Sequence, residues 1–464
     1  MAECSAVATQ GPATGIESSG GLDGGDGGMR ILTKVAYAAP TVGLAALGLP
    51  LLIYLPDYYG TVVGLPLGLV GTAFLVARLA DIAVDPVVGI LTDRTRCRFG
   101  RFRLWLAIGT PLLMLSVQYL YMPPPDAGFL HLALGLAGTY TAWSLCFVSH
   151  LGWGGTLSGD YDERNSVFAW WQTLFLVGGL VVTALPLLPA LRSAPQQVLP
   201  AMGWFVLLSL PLGVGAALIL VPEHAGSRRR TPGRRDYLSL LGQAGVIRLL
   251  AADFLSSAAI YAGGAMFFFY YGTFHGLDRV QTATLLFAVK VGAMLGTYVW
   301  SRMGSRLEKH RAMTLAFGGL ALMYLVVHLV PWTTLPTGMV ILGGFGLFLS
   351  ADPILVRSMM ADLADERRLA TGADQMGTLA SLLSVSDKLA AAVGPALALT
   401  ALSAAGFDAR AASVPQTPQA LLVLAIAAIW VPMAAHMTSA FLVWLHPLTA
   451  ARQQSVQSEL AVLE

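Results

Sequence analysis

The hydrophobic positions of this chain fall into long stretches that contain no charged residue. Six stretches lack Asp, Glu, Lys and Arg altogether, at 104–125, 127–159, 165–191, 193–222, 312–351 and 411–451. A helix needs about 20 apolar residues to cross a bilayer. Apolar and polar residues do not alternate as in a membrane barrel, so helices are the expected spanning elements.

The pattern predicts an all-α membrane protein with twelve transmembrane helices in two six-helix halves. We place the spans at about 32–55, 62–92, 104–123, 128–158, 166–191, 199–221, 246–274, 281–302, 312–330, 337–359, 373–403 and 419–446. The halves are then residues 30–222 and 246–446, joined by a central loop at 223–245. Residues 447–464 are predicted to be a tail. Residues 1–29 are rich in Gly and Ser and lack an apolar core, so we expect a disordered tail and no signal peptide. Met29 is an alternative start.

Composition agrees with this prediction. The chain is 56% hydrophobic and 12% charged, and soluble domains carry roughly twice that charge. No basic run is interleaved with exposed aromatic residues, so nucleic-acid binding is not expected. The three cysteines form no motif, and we expect neither a disulfide framework nor a metal site beyond a possible Na⁺.

Basic residues indicate the orientation. They concentrate after spans 2 and 8 and in the central loop, whereas the opposite loops hold only Arg192, Arg279 and Arg410. The positive-inside rule then makes both termini cytoplasmic. We expect an integral, multi-pass protein of the plasma (inner) membrane, with lipid and a small-molecule solute as its partners, acting as a monomer.

Span 2 carries ionisable residues inside its apolar stretch. Arg78, Asp81 and Asp85 are spaced by three and four, which places them on one helical face. Two carboxylates one turn apart repel each other in a low dielectric, and a small cation or proton relieves that repulsion. Pro86 also frees a backbone carbonyl one turn earlier. The face therefore predicts a coupling-cation site; the alternative is a structural salt bridge between Arg78 and Asp81.

Lys388 lies about fifteen residues into span 11, near the middle of the bilayer. An ammonium there needs a carboxylate or a water-filled cavity. A role in transport is the first interpretation, and neutralisation by the adjacent Asp387 is the second.

Other polar residues in the spans are secondary candidates. Asp253 and Lys290 can pair with each other, and Asp352 can cap a helix break at Pro353. His150 and His328 are expected to be satisfied by a neighbouring carbonyl. Tyr37 and Trp171 are aromatic candidates for the lining of a cavity.

Several motifs are more specific. They are RLADIAVDPVVGILTDRTRCRFGRFR at 78–103, GDYDER at 159–164, FYY at 269–271 followed by Gly276, and MMAD at 359–362 continuing through Thr371 and Gly372 to Lys388. The second has an echo, ADLADER at 361–367, at the equivalent place in the other half, which indicates a parallel repeat. Together these pieces resemble the glycoside–pentoside–hexuronide:cation symporter, or melibiose-carrier, family of the major facilitator superfamily, over nearly all of 30–446.

The resemblance implies cation-coupled symport of an organic solute by alternating access. It assigns the cation to Asp81, Asp85 and a span-4 hydroxyl that falls on Ser144, and it assigns coupling and substrate contact to Lys388, with Arg78 beside it. The adjoining of spans 2 and 11 in this superfamily makes Asp81 or Asp85 the expected partner of Lys388. Conformational-switch residues are expected in the loops at Asp93, Arg94, Arg96, Gly100, Arg101, Asp160, Asp162, Arg164, Asp362 and Glu366. The family often has Asn before the second carboxylate, but this chain has Val84, so Na⁺ and H⁺ both stay open; no other cofactor is implied.

The sugar-binding positions of the family fall on Thr41, Phe147, Leu151 and Gln172 in this chain. They are expected to line one central cavity that offers two hydrogen-bonding side chains and no fixed charge. An ordinary disaccharide is therefore disfavoured, and the chain is also similar to the vertebrate lysophosphatidylcholine carrier. The alternatives are an ordinary sugar symporter, a lysolipid or amphiphile carrier, and a non-transporting receptor or scaffold. An enzyme is not expected, because no nucleophile or metal motif is present.

Overall fold

The computed structural model describes residues 29–95, 97, 99–157, 161–223, 239–372, 375–410, 416–445 and 450–463. The described residues form helices and connecting turns without a strand. The predicted disordered tail lies almost entirely outside them, as does most of the predicted central loop.

Twelve helical segments of the described chain are long and apolar enough to cross a membrane. The spans, numbered in chain order, are α1 Ile31–Val63, α2 Leu67–Arg94, α3 Arg101–Tyr121, α4 Phe129–Gly154, α5 Tyr161–Ala184, α6 Val198–Leu220, α7 Ala244–His275, α8 Arg279–Arg306, α9 Lys309–Leu329, α10 Leu335–Thr371, α11 Met376–Ala404 and α12 Pro418–Trp444. The prediction of twelve spans in an all-α fold is confirmed. The even number places both ends of the described chain at one end of the bundle, called here the terminal end; the other is the far end.

Two spans, α1 and α10, are longer than predicted, and both contain breaks. Helix α1 includes π-helical turns at Pro50–Tyr54 and Tyr59–Val63, and the missing N–H of a proline such as Pro50 disturbs the regular ladder. It ends at Gly64, whose φ of 82° is a left-handed conformation suited to glycine. Helix α10 is interrupted at Ser350, between Leu335–Leu349 and Ala351–Thr371.

The two halves meet along three helix pairs. Helix α2 packs against α11, α1 packs against α7, and α5 packs against α8. Gly71 of α2 faces the backbone of Ala396 in α11, where an added Cβ would lie 3.1 Å from the Ala396 carbonyl oxygen. Such small residues let helices approach closely, and the close approach brings the charged residues of α2 and α11 together.

The segment predicted as a C-terminal tail contains a helix. Residues Ala450–Leu463 form this helix, named α13, which packs against α10. Gln453 donates a hydrogen bond of 3.0 Å to Asp365, and Val456 is fully buried. The segment is not apolar enough for a span, but its Ala, Gln, Glu and Leu residues favour a helix and supply one docking face.

Candidate functional site

A cavity of about 1630 Å³ lies between the two halves. Thr92, Arg101, Thr156 and Met376 line it, and these residues stand at or next to the ends of α2, α3, α4 and α11 that face the terminal end. The cavity therefore opens toward the terminal end of the bundle.

The charged face of α2 is arranged as its spacing predicts. Arg78 forms an ion pair of 3.3 Å with Asp81, whose side chain is 1% exposed. The Arg78 guanidinium also lies 3.7 Å from the centre of the Tyr140 ring in α4, a favourable cation–π geometry. The salt bridge that we considered as a structural alternative is thus present, but it is one part of a larger network.

Lys388 completes that network from the other half of the molecule. Its ammonium lies 2.9 Å from Asp81 and 2.8 Å from Asp85, and it donates to the backbone carbonyl of Asp81 at 3.3 Å. The expected pairing of Lys388 with the span-2 acids is present in the structure. Neutralisation by Asp387 is wrong as an alternative, because that carboxylate faces Tyr261 and accepts its hydroxyl at 3.0 Å.

Ser144 of α4 joins the same cluster. Its hydroxyl donates to Asp81 at 3.0 Å and accepts from the Lys388 ammonium at 3.3 Å. Asp85 lines the cavity, and its Oδ1 is buried without a hydrogen-bond partner among the described residues. We call Asp81 and Asp85 the α2 carboxylate pair. Asp81, Asp85 and Ser144 offer carboxylate and hydroxyl oxygens, including the Asp85 Oδ1 that has no partner among the described residues, and such a ligand set suits a hard cation or a proton.

The four positions taken from sugar carriers do not share one cavity, so that prediction is wrong. Phe147 and Leu151 line the cavity. Thr41 is fully buried and donates to the carbonyls of Ala38 and Trp171, whereas Gln172 is exposed away from the cavity. The reason is the rotation of α5.

In α5, Trp171 and Gly178 are one heptad apart, and this face packs against α1: Thr41 bonds to Trp171, and the Cβ position of Gly178 meets the backbone of Val42. A rotation of about 100° per residue then directs Gln172 away from α1.

Tyr37, Trp171 and His150 form a packed cluster beside the cavity rather than its lining. Tyr37 donates to the His150 carbonyl at 2.9 Å, and Trp171 donates to the His150 ring at 3.3 Å. His150 in turn contacts the Tyr37 carbonyl, as expected for a satisfied histidine. His328 differs, since its ring bonds to the Tyr270 hydroxyl and not to a carbonyl.

The expectation of a cavity without fixed charge is wrong. Beyond Arg78, Asp85 and Lys388, the lining includes Asp253, Asp352, Asp387 and Arg357 from the second half. Arg357 was missed, and Asp387 was considered only as a partner of Lys388. The sequence contained a signal for both residues. Asp387 is a charged residue next to Lys388, and Arg357 is a charged residue five positions after Asp352, both within predicted spans that are mostly apolar.

The proposed pairings of the secondary candidates are also wrong. Asp253 accepts a hydrogen bond from Ser386, and no described ion pair joins it to Lys290, which does not line the cavity. Asp352 lies inside the first turn of Ala351–Thr371 and accepts from Ser256; the N-cap is Ser350.

Part of the expected switch region is described. Gly100 has a φ of 102°, and the carboxylate of Glu223 accepts from the backbone N–H groups of Arg101 and Arg103 at 2.9 and 3.1 Å. This carboxylate sits on the N-terminus of α3, where the helix dipole favours an anion. Arg94 ends α2 and is exposed.

In the second half, Asp362 pairs with Lys309 at 2.8 Å, and Glu366 lies 3.6 Å from Arg452 of α13. Arg96 and Asp160, and the side chains of Asp93, Asp162 and Arg164, lie outside the described residues. The switch role of these positions stays a prediction.

The far end of the bundle is closed by contacts between the halves. Arg279, at the start of α8, binds the Asp57 carboxylate of α1 at 2.9 and 3.3 Å and the Thr61 hydroxyl at 2.7 Å. Arg410, which follows α11, donates to the Val63 carbonyl at 2.7 Å. The solute cavity is thus accessible from one end and sealed at the other.

Comparison of the sequence with known families and proteins agrees with this architecture. The sequence model of the family "MFS/sugar transport protein" matches residues 36–450. The inner membrane symporter YicJ of Escherichia coli K12 is 27% identical, covering 93% of this chain and 95% of its own. The putative glycoside/cation symporter YagG of the same organism is 26% identical over 92% and 94%. The isoprimeverose transporter of Lactiplantibacillus pentosus is 25% identical over 82% and 81%.

Solved structures with a similar fold are also transporters. A bacterial homologue of the human lysosomal transporter Spinster, in an inward-facing and unoccupied conformation, has a TM-score of 0.62 at 12% identity, covering 92% of this chain and 97% of its own. The nucleoside transporter NupG has a TM-score of 0.62 at 12% identity over 88% and 99%. At these identities the likeness is one of fold.

Proposed function

Because this chain belongs to the MFS/sugar transport protein family, and is therefore a membrane transporter and not an enzyme, we propose that it moves an organic solute together with Na⁺ or H⁺ by alternating access. The cation is held by Asp81, Asp85 and Ser144, and Lys388 couples its binding to the second half. The proposed working unit is the monomer.

One observation carries this proposal: the ammonium of Lys388 in α11 lies between two carboxylates of α2 at 2.9 and 2.8 Å. The ion pairs cross from one half of the molecule to the other, so they are made or broken when the halves move. A cation that binds Asp85 competes with the ammonium for the same oxygens. Ion binding and movement of the halves are then energetically linked, which is the requirement for coupling.

The distribution of basic residues gives the orientation of the cycle. The positive-inside rule places the terminal end in the cytoplasm of a plasma (inner) membrane. The cavity is then open to the cytoplasm, and Arg279 with Asp57 and Thr61 closes the outer side. Outward opening requires this contact to break, and closure at the terminal end requires the switch loops to meet.

The test is concentrative uptake by purified protein in proteoliposomes. Asp85→Asn keeps the shape of the side chain but removes its charge, so we expect it to abolish accumulation driven by a Na⁺ or pH gradient. Exchange of solute across the membrane without a gradient should persist. Separate Na⁺ and pH gradients identify the ion. The solute is first found by screening labelled compounds, including the neutral glycosides that the relatives' names suggest.

Asp278→Asn is the matched control. Asp278 caps α8 at the far end outside the cavity, and Asn is an equally good N-cap, so its uptake should equal that of the wild type. Wild-type accumulation by Asp85→Asn would contradict the proposed coupling site.

A further inference from the structure

Three carboxylates from three helices of the second half line the cavity. They are Asp253 of α7, Asp352 of α10 and Asp387 of α11, called here the second acidic cluster. Each accepts a hydrogen bond from a neutral hydroxyl: Ser386 at 3.0 Å to Asp253, Ser256 at 2.7 Å to Asp352, and Tyr261 at 3.0 Å to Asp387. When they are ionised, neighbouring carboxylates repel one another, and a bound cation relieves that repulsion.

The second acidic cluster lacks a close counter-ion in the described part of the chain. No described Lys, Arg or His forms an ion pair within 4.0 Å of these three carboxylates, although Arg78 and Arg357 contribute to the local field at longer range. Arg357 is exposed on the cavity wall. Buried charges in proteins are normally paired. Without a close counter-ion, the ionised cluster favours the binding of a cation.

One carboxylate oxygen of Asp352 lacks a partner in the described part of the chain. The residue is 8% exposed and lines the cavity, and its Oδ1 is buried with no hydrogen-bond partner among the described residues. An unsatisfied buried acceptor is destabilising, and more so when it is charged. A bound donor with positive charge removes this cost.

The surroundings favour an organic cation over a chelated metal ion. No group of three or more His, Cys, Asp or Glu side chains in the described residues is placed to hold a metal. The cavity is wide, and Tyr140, Trp143 and Phe147 line it across from the cluster. An ammonium group offers three N–H donors, and aromatic faces bind both the apolar body of a ligand and its charge.

We propose that the transported solute carries a basic nitrogen and that the second acidic cluster binds this group as an ammonium. This inference rests on the proposed transport function, since it names the solute class of the same cavity. The cation site at the α2 carboxylate pair is a separate site, because it lies on α2 of the first half and its carboxylates contact Lys388 and Arg78.

The test is equilibrium binding to the full-length protein in nanodiscs, without any gradient. The probes are two pairs of matched compounds: 2-phenylethylammonium with 2-phenylethanol, and glucosamine with glucose. Ligands that bind only the folded state raise the melting temperature in a concentration-dependent way. We expect saturable stabilisation by at least one ammonium compound and at least tenfold weaker stabilisation by its neutral partner.

Variants locate the binding site. Asp352→Asn and Asp387→Asn should each weaken binding of the ammonium compound at least tenfold. Asp387→Glu, which retains the charge, should weaken binding less. Asp278→Asn should leave the affinity unchanged. Size-exclusion profiles report folding, and two independent variants keep the test valid if one of them is unstable.

Three results would overturn the inference: equal affinity for charged and neutral partners, stabilisation that survives both Asn variants, or stabilisation by Na⁺ alone that Asp352→Asn removes. The last would make the cluster an inorganic cation site. Failure of the proposed function is seen separately, as a lack of gradient-driven uptake, and does not alter this binding result.

Discussion

The cavity contains two acidic regions that differ in their counter-ions. At the α2 carboxylate pair, Lys388 from the opposite half contacts both Asp81 and Asp85, and Arg78 one turn away pairs with Asp81. At the second acidic cluster, three carboxylates are held by hydroxyl groups of Ser256, Tyr261 and Ser386. The residue type is the same, but the first region has ion-pair partners within 4.0 Å and the second has none among the described residues.

This difference separates two tasks. In the proposed mechanism, the ammonium between the halves gives up a contact with the carboxylate pair when a cation binds, and this changes an interhelical contact. The carboxylate cluster with hydroxyl partners is proposed to bind the charged group of the ligand. The proposal thus assigns buried charge to conformational coupling where the counter-ion belongs to the protein, and to ligand recognition where it does not.

Removal of the internal counter-ion should have the largest effect. Lys388→Ala makes the α2 carboxylate pair resemble the second acidic cluster, and loss of one partner of a buried ion pair costs about 3–5 kcal/mol. We expect gradient-driven uptake to fall by a factor of 100 or more and the melting temperature to decrease. Lys290→Ala is the control, since that lysine lies outside the cavity lining. Uptake by Lys388→Ala within a factor of three of the wild type would contradict the coupling role of Lys388.

The second prediction concerns the contact that keeps the shared cavity closed at the far end. Arg279→Ala leaves Asp57 buried without its guanidinium, and loss of a charged hydrogen-bonded contact costs about 1.5–3 kcal/mol. We expect the outward-open population to rise at least tenfold.

This population is measured as maleimide labelling from the external side of a single cysteine at Leu52, in a protein without native cysteines. Leu52 lines the cavity. Arg192→Ala, an exposed arginine on the same end, should leave labelling unchanged. Equal labelling of Arg279→Ala and the wild type would show that the Arg279–Asp57 contact does not keep the far end closed.

A pair of serine substitutions sharpens the comparison on a smaller scale. Ser144 donates to Asp81, and Ser386 donates to Asp253. Each hydrogen bond to a charged group contributes about 1.5 kcal/mol. Ser144→Ala should therefore weaken binding of the coupling cation about tenfold and leave binding of the ammonium probe unchanged, and Ser386→Ala should do the opposite. Titrations of melting temperature measure both; identical effects of the two substitutions would contradict separate tasks.

The smallest expected effect is on the stability of the empty protein. Asp81→Asn removes a partner of Lys388 and should be destabilising, whereas Asp352→Asn removes repulsion within the second acidic cluster. We expect Asp352→Asn to leave stability unchanged or raise it by about 1 kcal/mol. The check is the melting temperature without ligand, and a similar decrease for both variants would show that the second cluster is internally neutralised.

The sequence predicted the fold and the first of these regions for physical reasons. Spans are set by the length of apolar stretches, and the face of Arg78, Asp81 and Asp85 follows from helical spacing within one segment. The partner of Lys388 also followed once spans 2 and 11 were taken as neighbours. These features depend on local periodicity or on one helix contact.

The second acidic cluster could not be predicted in the same way. Asp253, Asp352 and Asp387 lie on three helices, and their meeting depends on the rotation of each helix about its axis. Sequence position alone does not give that rotation, which is also why Gln172 was wrongly placed in the cavity. The final helix α13 was missed because its composition is too polar for a span, and only its docking on α10 gives it a place in the fold.

The most direct test is to record transient currents from wild-type, Asp85→Asn and Asp352→Asn protein on a solid-supported membrane. Each is exposed in turn to a Na⁺ jump against K⁺, a pH jump and a jump of 2-phenylethylammonium. We expect Asp85→Asn to lose the response to the coupling ion and keep the response to the ammonium, and Asp352→Asn to show the reverse. Loss of both responses in each variant would contradict the division of tasks between the two regions.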